Sequence, residues 1–258
     1  MGISSKIEKL RMSDLTLQNK SALIIGVHDK LSRIIARSII KENAHVTLIG
    51  SDKSLLAEEY PEITEPHLIN FNITDCKNIE KNLKSHLNDN LKYDGVVFCH
   101  TQSDFKPLSF VKYDNLSSIV NDNYFSFVEF IRVLTKMKKI NNNGSIVALS
   151  SISSIRAMKA KMAFCSSKAA LDAAIRCLAV EFANKKIRVN SIQKGEVDVD
   201  FEKGHIQDVS AIREEGVSNA CLGASSATEI ANTVIFLLSD ATHTLTGQSI
   251  VIDGGYTL

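Results

Sequence analysis

The chain of 258 residues contains no tryptophan, three prolines and only 6% aromatic residues. With so little proline and twelve glycines, no Pro/Gly-rich linker divides it, and no internal repeat or low-complexity tract is present. An excess of one charge is missing too: 30 basic residues against 29 acidic ones leave a formal net charge of +1. Such balance gives no reason to expect a polyanion. No basic stripe interleaves with aromatics, so nucleic acid is not an expected partner. No apolar run approaches the roughly 20 residues that span a bilayer, so no membrane association is expected. Residues 1–20 mix charged and apolar side chains and lack a signal-peptide core. The cysteines (Cys76, Cys99, Cys165, Cys177 and Cys221) are odd in number and have no metal-ligand spacing. Neither a disulfide framework nor a metal site is expected, and the pattern suits a reducing, cytoplasmic location.

What is present is a steady alternation. Hydrophobic residues make up 44% of the chain and charged ones 23%, ordinary for a globular protein with a sizeable core. Short apolar runs alternate with longer amphipathic stretches, the pattern of a parallel sheet with crossover helices. Strands are expected over 21–26, 45–50, 67–71, 95–99, 145–149, 187–192 and 249–252. Their hydrophobicity is continuous rather than alternating, which fits burial on both faces. A helix is expected over Leu31–Lys41, with Ile34, Ile35 and Ile39 apolar. The expectation is one α/β domain over 1–258: a Rossmann-like, doubly wound parallel sheet of about seven strands, helices on both faces, and a ligand crevice at the carboxyl ends of the strands. Residues 1–14 read as an N-terminal extension. The polar, aperiodic stretch 197–223 reads as a mobile substrate loop.

Three blocks carry a family likeness. The C-terminal run holds Glu229-Ile230-Ala231-Asn232, Phe236-Leu237-Leu238-Ser239-Asp240, Leu245-Thr246-Gly247-Gln248 and Asp253-Gly254-Gly255-Tyr256. Arg188-Val189-Asn190 and Ser166-Ser167-Lys168-Ala169-Ala170-Leu171 stand upstream of it. Together these resemble the short-chain dehydrogenase/reductase family from Leu15 to Leu258. The resemblance implies an NAD(P)-dependent oxidoreductase acting on a small carbonyl or alcohol, in which Asn, Ser, Tyr and Lys cooperate. It assigns the Asn to Asn123, the Ser to Ser151 and the Lys to Lys168. The Tyr position, four residues before Lys168, is Phe164, which has no proton to move. Losing a positioned acid–base group typically costs roughly 10²- to 10⁴-fold in rate. Each retained residue also has a plainer reading. Asn123 can hold a helix kink, Ser151 can cap a strand end, and Lys168 can end an interface helix. Cys165, His100, Tyr124 and Lys168 are the candidates to replace the lost hydroxyl, and none is singled out by the sequence.

The cofactor motif departs as well. Of the family's glycine-rich turn, Gly26 survives, while Lys30 and Ser32 replace the other glycines. Lys30 puts a side chain where backbone meets phosphate, or else supplies a charge to it. The resemblance extends the cofactor site to Arg33, Ser51, Asn72, Lys168 and Gly195. Ser51 offers no acid to read a ribose 2′-hydroxyl, and Lys30 with Arg33 leans to NADP. Phe98-Cys99-His100-Thr101 and Lys194 also differ from the family pattern and are expected to face the crevice. Three functions are compatible with these residues: a divergent reductase or dehydrogenase with an altered proton route; a catalytically silent binding or assembly partner; or a non-redox dehydratase or isomerase using Lys168 and Ser151. The resemblance further implies a homodimer or homotetramer. One interface would lie along Ser166–Phe182 (Leu171, Ala174, Ile175, Leu178, Ala179) and a second at a Gly254-Gly255-Tyr256 strand, and both segments are equally explained as core.

Overall fold

The computed structural model describes residues 15–63, 67–88, 90–201 and 220–258. The expected extension 1–14, and positions 202–219 of the expected substrate loop, lie outside the described residues. The expected strands form β1 (Ser21–Ile25), β2 (His45–Gly50), β3 (Leu68–Asn70), β4 (Tyr93–Phe98), β5 (Ile140–Ser151), β6 (Arg188–Lys194) and β7 (Ser249–Ile252). They make one sheet in the order β3-β2-β1-β4-β5-β6-β7, parallel throughout. The order reverses between β1 and β4, so their carboxyl ends open the switch-point crevice of a doubly wound fold. β5 begins earlier than the run Ser145–Leu149 suggests. An irregularity in its pairing at Tyr93/Gly95 and Asn143 at φ 63 lie between the polar start and the buried strand. Asn tolerates that conformation better than most residues.

The helices are α1 (Lys30–Lys41), α2 (Lys53–Glu59), α3 (Ile79–His86), α4 (Tyr113–Val120), α5 (Ser126–Lys136), α6 (Met162–Glu181) and α7 (Ala227–Leu238). Two apolar cores form, one on each sheet face. Ile24, Leu48 and Val97 pack with α1 and α7 on one side. Leu23, Val96 and Ile146 pack with α3, α5 and α6 on the other. Successive strand residues feed opposite faces, which is why these strands are apolar without interruption. Each buried Leu, Ile or Phe contributes about 1.5–3 kcal/mol. None of the described helices is long and apolar enough to cross a membrane.

Of the five α6 residues expected along an interface, Leu171, Ile175 and Ala179 belong to the second core, and Ala174 and Leu178 are half-buried against it. Two expectations need correcting. The residues 254–256 form a turn, not a strand. Asp253 accepts from the Gly255 and Thr257 amides, both at 2.9 Å, and Gly254 and Gly255 take φ 63 and 84, values open to glycine. Phe98 turns away from the crevice and stacks edge-on against Phe127 in the second core.

Candidate active site

The turn from β1 to α1 is largely satisfied from within. Of the eight residues from Gly26 to Arg33, six donate their amide N–H to partners in the protein. Gly26 and Val27 bond Ile49 O, and Arg33 bonds Asp29 O. His28 and Asp29 bond Ser32 Oγ, and Ser32 N bonds Asp29 Oδ1 at 2.7 Å. Asp29 thus caps α1 with its carboxylate, and Ser32 closes the reciprocal capping box. A capped N-terminus with a resident negative charge offers an anion less than an open one. Gly26, at φ 87, is required by the chain itself, since a Cβ there would meet His100 N at 2.7 Å.

His100 comes just after β4 and rests across this turn, its ring 5.1 Å from that of His28. Both of its ring nitrogens are buried without a hydrogen-bond partner. Burial, with His28 and then Lys168 adding positive charge, lowers its pKa to about 4. The Arg33 guanidinium is paired with Glu59 at 2.6 Å and donates to His28 O.

On α6, Phe164 and Lys168 stand four residues apart and project from one face. Lys168 is fully buried. Its Nζ donates to Thr101 Oγ1 and to Leu149 O, each at 3.0 Å. Desolvation, with the Lys194 charge adding and Asp172 opposing, lowers its pKa to about 7. The Phe164 ring centroid lies 5.9 Å from this ammonium and 5.8 Å from that of Lys161, so the ring presents its face to two cations.

Asn123 sits behind them. Between α4 and α5 the helix widens into a π-turn, Asn121–Phe125, a local feature often found at functional sites. The Asn123 side chain is fully buried. It accepts from Gln102 N at 2.9 Å and donates to Gln102 O, Ile119 O and Ser167 Oγ. It therefore ties the segment after β4 to the body of α6.

A cleft of about 230 Å³ opens at the carboxyl ends of β4, β5 and β6. Asp29, Thr101, Ser151, Phe164, Lys194 and Gly195 line it. The Ser151 hydroxyl donates to Ser153 Oγ and accepts from Ser153 N, capping a short 3-10 turn. The Ser150 hydroxyl in the same wall is buried and has no partner. Among the described residues no group of three or more His, Cys, Asp or Glu could hold a metal ion.

A family model described as enoyl-(acyl carrier protein) reductase matches residues 26–257. The chain belongs to the short-chain dehydrogenase/reductase family, a family of oxidoreductases. It is 28% identical over 248 residues to a 3-oxoacyl-(acyl-carrier-protein) reductase of Rickettsia felis, covering 95% of this chain and 98% of that one. It is 26% identical over 249 residues to D-erythrulose reductase of Gallus gallus, covering 94% and 98%. Among solved structures, a dehydrogenase/reductase from Sinorhizobium meliloti superposes with TM-score 0.84 at 21% identity, covering 97% of this chain and 100% of that one. The FabI–NADH complex of Alistipes finegoldii superposes at 0.81 with 24% identity, covering 95% and 89%. Both solved structures share the fold.

Of the residues that the short-chain dehydrogenase/reductase likeness picked out, Ser151, Phe164 and Gly195 line the cleft. Lys168 lies beneath its wall and Asn123 one layer further back. Gly26, Lys30, Ser32 and Arg33 lie on the β1–α1 turn, and Ser51 and Asn72 come after β2 and β3, all off the cleft. Asn72 Oδ1 accepts from Thr74 N and Thr74 Oγ1, closing its own turn. Gly195 has a packing reason as well, because a Cβ there would meet Asp253 Cα at 2.8 Å. Thr101, expected to face the crevice, does line it; its bond to Lys168 Nζ is what the sequence did not reveal.

Proposed function

We propose that this protein transfers hydride between a nicotinamide dinucleotide and a small carbonyl or alcohol, with the substrate proton supplied from Lys168 in place of a tyrosine. The observation that carries this reading is the Lys168 amine itself. An ammonium wholly removed from water is costly, and such groups concentrate at working sites. With its pKa near 7, the amine exchanges a proton at neutral pH, whereas Phe164 cannot.

When bound, the cofactor supplies or accepts the hydride at its nicotinamide ring. The residues fit that group at the Lys168 end, where the cleft is roomy and polar hydroxyls line one wall. At the other end the fit is altered rather than lost: six amides and the Asp29 carboxylate serve the turn, and Lys30 introduces a residue type suited to phosphate. Of the two cations read as favouring NADP, Arg33 is engaged by Glu59, which weakens its part in that preference. Ser151 orients the substrate oxygen from the cleft wall. The unpartnered Ser150 hydroxyl gains from a substrate oxygen the bond the protein does not give it. Asn123 holds the segment after β4 in register with α6.

Titration with NADH and NADPH by fluorescence, and then turnover on a panel of ketones and aldehydes, tests the reading. Binding of one nucleotide, with turnover that Lys168→Met removes, supports it. No binding of either at millimolar concentration overturns it. That result favours the second reading, a catalytically silent family member acting as a binding or assembly partner, to which the self-satisfied turn already points. Substrate turnover without net nicotinamide oxidation would instead indicate a dehydratase or isomerase. Cytoplasmic location and a homodimer or homotetramer belong to the same proposal; light scattering reads the assembly.

A further inference from the structure

We infer that the Thr101 hydroxyl presents the proton to the substrate in this cleft, entering from the end of β4 where a tyrosine would have entered from α6. The inference rests on the nicotinamide-dependent reading above. Three placements support it. Thr101 Oγ1 accepts from Lys168 Nζ at 3.0 Å, so the hydroxyl hydrogen points elsewhere, and no acceptor among the described residues takes it. Thr101 lines the cleft whereas Lys168 does not, so a proton held on Nζ meets the cleft through this oxygen. Leu149 O holds Nζ from a second direction, and the Phe164 ring packs beside it. The amine is therefore fixed and dry, and Thr101 is the one hydroxyl bonded to it among the described residues.

In the reducing direction the step is balanced. The substrate carbon gains a hydride from the reduced nicotinamide, and the carbonyl π pair moves to oxygen. That oxygen takes the Thr101 hydroxyl proton while the Thr101 oxygen takes one from the Lys168 ammonium. A C–H and a substrate O–H bond form, the C–O π bond breaks, and the threonine O–H is broken and remade. The substrate gains two electrons, the nicotinamide loses two, and the neutral lysine recovers its proton from cleft solvent through the Thr101 hydroxyl. A threonine hydroxyl is too weak an acid to act alone. The lysine behind it, near pKa 7, makes the transfer feasible at neutral pH.

The test compares Thr101→Val, which keeps the volume and removes the hydroxyl, with Thr101→Ser, which restores it. Thr101→Val is expected to lower kcat for carbonyl reduction by about 100-fold or more while nicotinamide Kd stays within about threefold, and Thr101→Ser to stay within about fivefold of the parent. In a Phe164→Tyr background the same Thr101→Val change should cost less than about threefold, because a tyrosine makes the threonine redundant. A readout independent of turnover is the Lys168 titration monitored by NMR of its εCH2 group. Thr101→Val removes an acceptor from the charged form, so the midpoint falls, and Thr101→Ser leaves it in place. Wild-type kcat in Thr101→Val, equal losses in both variants, or an unmoved lysine midpoint would overturn the inference. If Thr101→Val keeps its turnover while Lys168→Met loses it, the threonine role falls and the nicotinamide reading stands. If the parent binds neither nucleotide, both fall.

Discussion

Replacing Lys168 with methionine is expected to stabilise the protein at neutral pH and below, and to stop doing so in alkali. The amine falls from 10.5 in the unfolded chain to about 7 in the folded one, equivalent to about 5 kcal/mol against folding where the group is charged in both states. The sign is set by proton counts. Below pH 7 the folded state carries a buried charge and the full penalty applies. Between pH 7 and 10.5 the unfolded chain binds more protons, so wild-type stability rises with pH by about 1.4 kcal/mol per pH unit. Above 10.5 the penalty is gone. Methionine keeps the length of the side chain but leaves Leu149 O without its donor, a loss of about 1–3 kcal/mol for a buried carbonyl. Lys168→Met should therefore be more stable than wild type by about 2–4 kcal/mol at pH 6, and equal or less stable at pH 10. Urea unfolding of both proteins at pH 6, 8 and 10, with matched slopes, measures the difference directly and cancels groups common to the two. A difference that does not change with pH, or a variant less stable at pH 6, would refute the claim that this lysine is held near neutrality.

Two other buried polar groups give measurable outcomes. His100, lowered to about 4 by burial and the nearby His28, should show no imidazole titration by NMR above about pH 5. Because the unfolded chain protonates at the ordinary histidine value of 6.5, this histidine should also remove stability as pH falls from 6.5 toward 4. Asp172 is buried on α6 and accepts from Ser191 Oγ and Gln193 Nε2, both at 2.7 Å. Asp172→Ala removes one acceptor from each, while Ser191 Oγ keeps Ser249 Oγ and Gln193 Nε2 keeps Ser154 Oγ, and should cost about 1–3 kcal/mol in chemical denaturation. It should also push the Lys168 midpoint lower still, since Asp172 is the group that raises it.

The scaffold was legible because its signals are local. Continuous apolar runs announced strands buried on both faces, and Ser226 with Glu229 forms the capping box that starts α7. The site was legible only in part. The positions of Asn123, Ser151, Phe164 and Lys168 followed from the family resemblance, yet their bonds did not. The serine caps a turn, and the asparagine spans to Gln102, 21 residues earlier. Ser32 was legible as the replacement of a glycine, but not that its hydroxyl organises the turn. The α6 apolar stripe looked equally suited to core or interface, because periodicity reports that a face is buried and not what buries it. The part of Thr101 escaped notice because its meaning depends on Lys168, 67 residues away.

The π-turn at Asn121–Phe125 makes the direction of Asn123 a matter of counting as much as of chemistry. One surplus residue is accommodated there without unwinding the helix on either side. Deleting a single neighbour would let the ladder close into an ordinary α-helix, leaving the flanking helices in register and displacing only the widened turn that carries Asn123. Asn123 could then remain in the chain while its amide left the Gln102 backbone. The position is thus more exposed to deletions than to substitutions, and a scan that removes residues one at a time through 119–127 would locate the register on which the site depends.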